Sequence, residues 1–165
     1  PLDKSDVDSI IKLYQKQTLA GQSESASREH AERMVELSVQ MAATQRGLMW
    51  AIEVDGAMMG MLSLYDWQPT SLKTLMRLDA LPGLTQQLQV DALRCGIDYL
   101  AQKYHLRNFS FQCLPEGEGA IVDVIKLAGF EQQARLRDFR RISQTEYSDI
   151  LVFNLILAQS AEGEK

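Results

Sequence analysis

The sequence predicts an α+β domain, and three observations carry that prediction. Apolar residues recur at helical spacing from Val7 to Met41. After Gly47 the period shortens to the alternation of strands, around an Asp55-Gly56 turn signal. From there strand-like and helix-like segments take turns as far as Leu157. At 165 residues the chain suits one domain with a single sizeable core. That domain is assigned to residues 1–158, and the polar stretch 159–165 to a frayed tail.

The elements follow in order. Val7, Ile10, Ile11, Leu13 and Tyr14 form the stripe of a first helix, with Ser5 or Asp6 as its cap. Gly21 to Ser27 reads as a polar loop, and a second helix runs from Ser27 to about Thr44 with Glu29 in its first turn. Leu48 to Val54 and Ala57 to Tyr65 are the strands of a hairpin closed by Asp55-Gly56. Leu72 to Leu78 is a third strand, broken by Leu81-Pro82-Gly83. Thr85 then caps a helix to about Tyr104, with Leu88, Ala92, Leu93, Gly96, Ile97 and Leu100 on its apolar side. Asn108 to Leu114 alternates like a core strand, and Pro115 to Gly119 is a turn. Ala120 to Leu127 is a short helix for which Gly129 is a suitable left-handed cap. Arg135 to Ile142 and Ile150 to Leu157 close the fold as a strand pair.

Composition narrows the function classes. Hydrophobic residues make up 45% and charged residues 24%, as in ordinary globular domains. The net charge of −5 argues against general binding to nucleic acid or to anionic membranes. Nothing resembles a membrane span or a signal peptide, which points to the cytoplasm. Cys95 and Cys113 read as free core thiols, a disulfide or a catalytic thiol being the alternatives. His30 and His105 lack metal-ligand spacing, so no metal is expected. Met34, Met41, Met49, Met58, Met59 and Met61 suit a core or a flexible pocket lining.

Four segments resemble the GNAT superfamily of N-acetyltransferases. Pro1-Leu2-Asp3-Lys4-Ser5-Asp6 is similar to that family's opening, where a strand ends before the first helix. Trp50 to Leu62, with Asp55-Gly56 and Gly60, resembles its hairpin. Leu127-Ala128-Gly129-Phe130 resembles the end of its last helix, and Tyr147 to Phe153, with Asp149, its final strand. The resemblance covers essentially the whole chain and implies one further strand before Pro1. It implies a mixed, mostly antiparallel sheet with helices on both faces and a splay between the fourth and fifth strands. In the family acetyl-CoA is the co-substrate, and its pantetheine arm enters that splay as an added strand. Its pyrophosphate rests on a glycine-rich helix N-terminus, and the amine attacks the thioester in a ternary complex. A homodimer through the C-terminal strands is a further implication.

The sequence departs from the family at two places. The phosphate loop falls on Leu84-Thr85-Gln86-Gln87-Leu88-Gln89, which holds neither glycine nor arginine, with Gly83 just ahead and Leu78 on the preceding strand. Thr85 is then either the remnant of a CoA site or simply a helix cap. The cleft between Leu72–Leu78 and Asn108–Leu114 is expected to be open, with Gln86, Gln87 or Gln89 narrowing its phosphate end. In the last helix the family's Asn position falls near Glu118, and its proton-donating Tyr position on Ile125. Isoleucine donates no proton, so another group or solvent must protonate the thiolate. Asp79 and Glu53, with Asp66 behind them, are the candidate bases. Tyr65 and Trp67 are candidates for an acceptor pocket. The basic run Arg135 to Arg141 reads as a charged, exposed strand or as a contact for an anion. Two functions follow from this reading: acyl transfer to a primary amine of a small molecule or protein, or a non-catalytic binding or assembly domain with a degraded CoA site.

Overall fold

The computed structural model describes residues 1–16, 27–115 and 119–158. Most of the predicted Gly21–Ser27 loop, the middle of the Pro115–Gly119 turn and the tail lie outside the described residues. Four helices and a six-stranded sheet make up the described chain. In chain order these are α1 (Val7–Lys16), α2 (Arg28–Ala43), β1 (Leu48–Val54), β2 (Ala57–Gln68), β3 (Lys73–Ala80) and α3 (Gln86–Tyr104). Then come β4 (Asn108–Cys113), α4 (Gly119–Leu127), β5 (Glu131–Arg141) and β6 (Tyr147–Ile156). The sheet order is β1-β2-β3-β4-β6-β5, and every pairing is antiparallel except β3 with β4. The strand expected ahead of Pro1 lies outside the described residues.

Local chemistry explains the boundaries. Asp55 and Gly56 both have positive φ, 53° and 81°, as a two-residue hairpin turn of type I′ requires. Gly129 (φ 107°) ends α4: its N–H donates to the Lys126 carbonyl, and the Phe130 N–H donates to that of Ile125, the Schellman pattern. Thr85 caps α3 as the sequence indicates, its hydroxyl accepting the Leu88 N–H. At the first helix the cap is Asp3 rather than Ser5 or Asp6. Its carboxylate accepts the Ser5 N–H while Asp6 reaches back to the Asp3 N–H, and a turn of 3-10 helix leads into α1.

Several strands are longer than the alternation suggests, β6 among them, which begins at Tyr147 rather than Ile150. β2 continues to Gln68 through a register shift at Asp66, whose left-handed φ of 48° an aspartate tolerates. β5 begins at Glu131 because it is an edge strand, largely exposed on both sides, so no hydrophobic period marks its start.

The two faces of the sheet are covered separately. On one, Val90, Leu93, Ile97 and Leu100 of α3 pack with Val124 and Ile125 of α4 on Leu62, Leu64, Met76, Phe109, Phe111 and Phe153. At Gly96 a Cβ would meet Leu62 Cδ2 at 2.7 Å and Trp50 Cζ3 at 3.2 Å, so glycine lets α3 lie close on the sheet. On the other face a smaller core joins Val7, Ile10, Leu13 and Tyr14 of α1 to Ala31 and Val35 of α2 and to Met58 and Met61 of β2. Cys113 is buried, but Cys95 is exposed on α3, correcting its placement in the core. No described helix is long and apolar enough to cross a membrane.

Candidate active site

The parallel pair β3 and β4 parts soon after it starts. Lys73, Thr74 and Leu75 pair with Asn108, Phe109 and Ser110, and there the ladder ends. Meanwhile β3 stays registered with β2 as far as Ala80↔Gly60, and β4 with β6 as far as Cys113↔Leu151. Met76 to Asp79 and Phe111 to Gln112 are therefore held by their outer neighbours while a cleft opens between them. Its apex is Leu75 and Ser110. Beyond Ala80 the chain turns through Leu81–Thr85 into the N-terminus of α3.

At that N-terminus the Thr85 hydroxyl takes the Leu88 N–H at 3.3 Å, and no acidic residue stands in the first turn. The N–H groups of Gln86 and Gln87 have no acceptor among the described residues. Two of the three glutamine side chains bond back to neighbouring chain. Gln89 donates to the Leu84 carbonyl at 2.9 Å, Gln87 donates to Asp91 at 2.9 Å, and Gln86 is exposed. Leu84 is buried and anchors the loop, Gly83 is exposed beside Met59, and Leu88 is exposed. Leu78 is buried on the α3 face. Glu118 lies outside the described residues.

Two cavities open on the α1/α2 side, and Tyr65 lines both. The larger, about 450 Å³, lies against Tyr14, Met34, Met41, Met49, Met61, Ser63, Arg77 and Asp79. The smaller, about 380 Å³, lies against Gln112, Phe139, Arg140, Arg141 and Ile150. Four of the six methionines expected in a core or pocket thus wall the larger cavity, while Met58 joins the smaller core. The basic run divides. Arg135 pairs with Asp149 at 2.6 Å, whereas Arg140 and Arg141 reach the smaller cavity.

Asp79 is buried, and its carboxylate is tightly held. Oδ2 accepts the Tyr14 hydroxyl at 2.8 Å, and Arg77 Nε is 3.1 Å from both oxygens. Burial, then the Asp79 charge beside it, pushes the Tyr14 phenol well above its ordinary range, so it stays a donor. Sequence reasoning missed this triad. Tyr14 lies on the inward stripe of α1, where it reads as core, and nothing in the sequence signals its partner across the fold. Burial likewise raises the Tyr65 phenol.

Other candidates are not gathered here. Glu53 is exposed near the hairpin end and lines neither cavity. Asp66 is exposed, and among the described residues it accepts from Gln68 alone. Trp67 is buried on the opposite face, edge-on to Tyr104 with ring centroids 4.6 Å apart. Ile125 is fully buried in the α3/α4 core.

No protein-family model matches the chain, and no curated protein matches it. Solved structures do. A RimL acetyltransferase of ribosomal L7/L12, in complex with coenzyme A, superposes with a TM-score of 0.85 at 18% identity, over 94% of this chain and 91% of that one. RimJ of Mycobacterium smegmatis, with a CoA disulfide, reaches 0.82 at 17% identity, over 99% and 84%. The microcin C7 self-immunity acetyltransferase MccE, with acetyl-CoA and AMP, reaches 0.82 at 10% identity, over 93% and 88%. The fold is that of the GNAT acetyltransferases. In that GNAT fold, β3 and β4 are the splayed pair which the sequence resemblance implied.

Proposed function

We propose that this chain is an acyl-CoA-dependent N-acyltransferase, transferring an acetyl group to a primary amine of a small molecule or protein by direct attack in a ternary complex. One observation carries this reading. The β3/β4 ladder ends at Leu75↔Ser110, and the N-terminus of α3 follows directly on the open end of the cleft. A pantetheine arm carries amides and can lie along such a strand edge as an added strand. The α3 dipole and the N–H groups of Gln86 and Gln87 suit the diphosphate, more loosely than glycines allow. No metal enters this reading.

Attack on a thioester needs a neutral amine. Among the described residues Asp79 Oδ1 accepts only a shared Arg77 Nε–H, so it can take the amine proton directly or through a water. Tyr14 and Arg77 orient the carboxylate, and the methionine walls with Tyr65 make a mainly apolar acceptor subsite. Asp79 is therefore preferred to Glu53 as the base. Nucleic acid and membrane have no part in this reading, the cytoplasm is the proposed location, and exposed Phe139 and Tyr147 on the C-terminal strands suit a homodimer.

Thr85 capping Leu88, together with Ile125 at the expected tyrosine position, favours a second reading: a binding or assembly domain on the same scaffold. Thiol release from acetyl-CoA, measured against a panel of primary amines and peptide N-termini, separates the two. Amine-dependent release is the outcome expected. CoA binding with no release on any amine would move the chain to the second reading.

A further inference from the structure

The acyltransferase reading leaves one proton unaccounted for. A thiolate departs, and the helix position that carries a phenol in the family holds Ile125, buried in the opposite core. The donor must be sought on the face that holds the cavities.

Cross-strand register locates it. Tyr65 of β2 pairs with Leu75 of β3, and Leu75 pairs with Ser110 of β4 in the last rung before the strands part. Residues paired in this way share a face of the sheet. Tyr65 thus stands one strand away from the cleft apex. It is also the residue common to both cavities, which places its ring at their junction. An arm anchored at the α3 N-terminus and running back along β3 brings its sulfur toward this rung.

The other hydroxyls nearby are committed or unsuited. Tyr14 donates to Asp79 at 2.8 Å, and Ser110 donates to Asn154 at 2.6 Å. Thr74 donates to the Tyr65 carbonyl at 2.9 Å. Ser63 lines only the larger cavity, and an alcohol is a much weaker acid than a phenol. The Tyr65 hydroxyl makes no hydrogen bond among the described residues, and the side chain is 38% exposed.

We propose that the Tyr65 hydroxyl is the proton donor to the leaving thiolate, doing from β2 what the family does from its last helix. The proposal rests on the acyltransferase reading. As the amine nitrogen bonds to the carbonyl carbon and the carbon–sulfur bond breaks, Tyr65 gives its proton to the sulfur. The proton shed by the nitrogen goes to Asp79 or water and returns to the phenolate. The sum is an amide and a free thiol, with no other reactant. Burial keeps the Tyr65 phenol protonated through neutral pH, with Cys113 and Asp66 acting in the same direction, while Arg77 and Arg140 favour the brief phenolate.

Tyr65→Phe tests this in the full chain. It keeps the ring and removes one partly exposed hydroxyl. Calorimetry should show unchanged CoA binding, while kcat falls about 100-fold with KM for acetyl-CoA unchanged. Ultraviolet titration of bound CoA adds a readout that needs no turnover. In the wild type the phenol steadies the thiolate, so the thiol pKa should rise by about one unit in the variant. The wild-type kcat should also fall at alkaline pH, above the ordinary tyrosine value of about 10, as the donor ionises. This holds whether or not the variant folds. Wild-type kcat and an unshifted thiol in Tyr65→Phe would overturn the proposal, as would an alkaline profile without a fall. Failure of the wild type to bind CoA would overturn the acyltransferase reading first, and this proposal with it.

Discussion

On the face covered by α3 and α4, eighteen buried residues among those described form one core without a charged side chain. On the face covered by α1 and α2, the core is smaller and two cavities with arginines and a buried aspartate stand beside it. The difference shows how the sheet divides its tasks. The closed face fixes the strands on either side of the splay: Leu62, Leu64, Met76, Phe109, Phe111 and Phe153 all dock there. With the strands fixed from behind, the open face can hold polar groups and space that would weaken a core. Asp79 and Arg77 project from the same strand as Met76 and Leu78, one residue out of phase, so a single strand serves both faces.

Truncation should break this contrast most sharply. Phe109 is fully buried in the closed core, and Phe109→Ala should cost about 3–5 kcal/mol in denaturant unfolding. Leu37 lines the larger cavity and is half-exposed, so Leu37→Ala should stay within about 0.5 kcal/mol. Equal losses would mean that the faces do not differ as described. A comparable effect, but in catalysis, is expected for Asp79→Asn. Its kcat should fall about 100-fold or more with acetyl-CoA binding kept, and loss of the charge that pairs with Arg77 should lower the melting temperature as well. Unchanged turnover would remove Asp79 as the base.

The remaining tests sharpen the comparison with smaller effects. Gly96→Ala places a methyl against Leu62 and Trp50 and should destabilise by about 1–3 kcal/mol, without altering the open face. Asp149, on β6, accepts the Asp138 N–H and pairs with Arg135, and both hold its carboxyl below the ordinary carboxylate value. Its folded pKa is depressed, so its stabilisation is present above about pH 4 and lost as pH falls through the folded value. In melts at falling pH, the wild type should therefore lose a small advantage over Asp149→Asn. An advantage that persists to the lowest pH would assign the effect to something else.

The sequence makes the scaffold legible because the scaffold rests on local rules. Asp55-Gly56, Thr85 and Gly129 each act within a few residues, and all three stand where turn and cap chemistry put them. Only the start of β5 escaped, at Glu131 rather than Arg135, because an exposed edge strand has no apolar face to announce it. The site is less legible because it depends on register. Tyr14 meets Asp79 across 65 positions, and Tyr65 reaches the cleft apex only through Leu75, neither of which a local pattern encodes. Trp67 shows the reverse error. A register shift at Asp66 sends it to the closed face, away from the acceptor side to which the sequence assigned it.

Calorimetric titration with acetyl-CoA decides whether the gap between β3 and β4 takes a CoA chain. Saturable binding of one acetyl-CoA per chain is expected, with a melting temperature that climbs with ligand concentration. No heat and no thermal shift at millimolar CoA would contradict it.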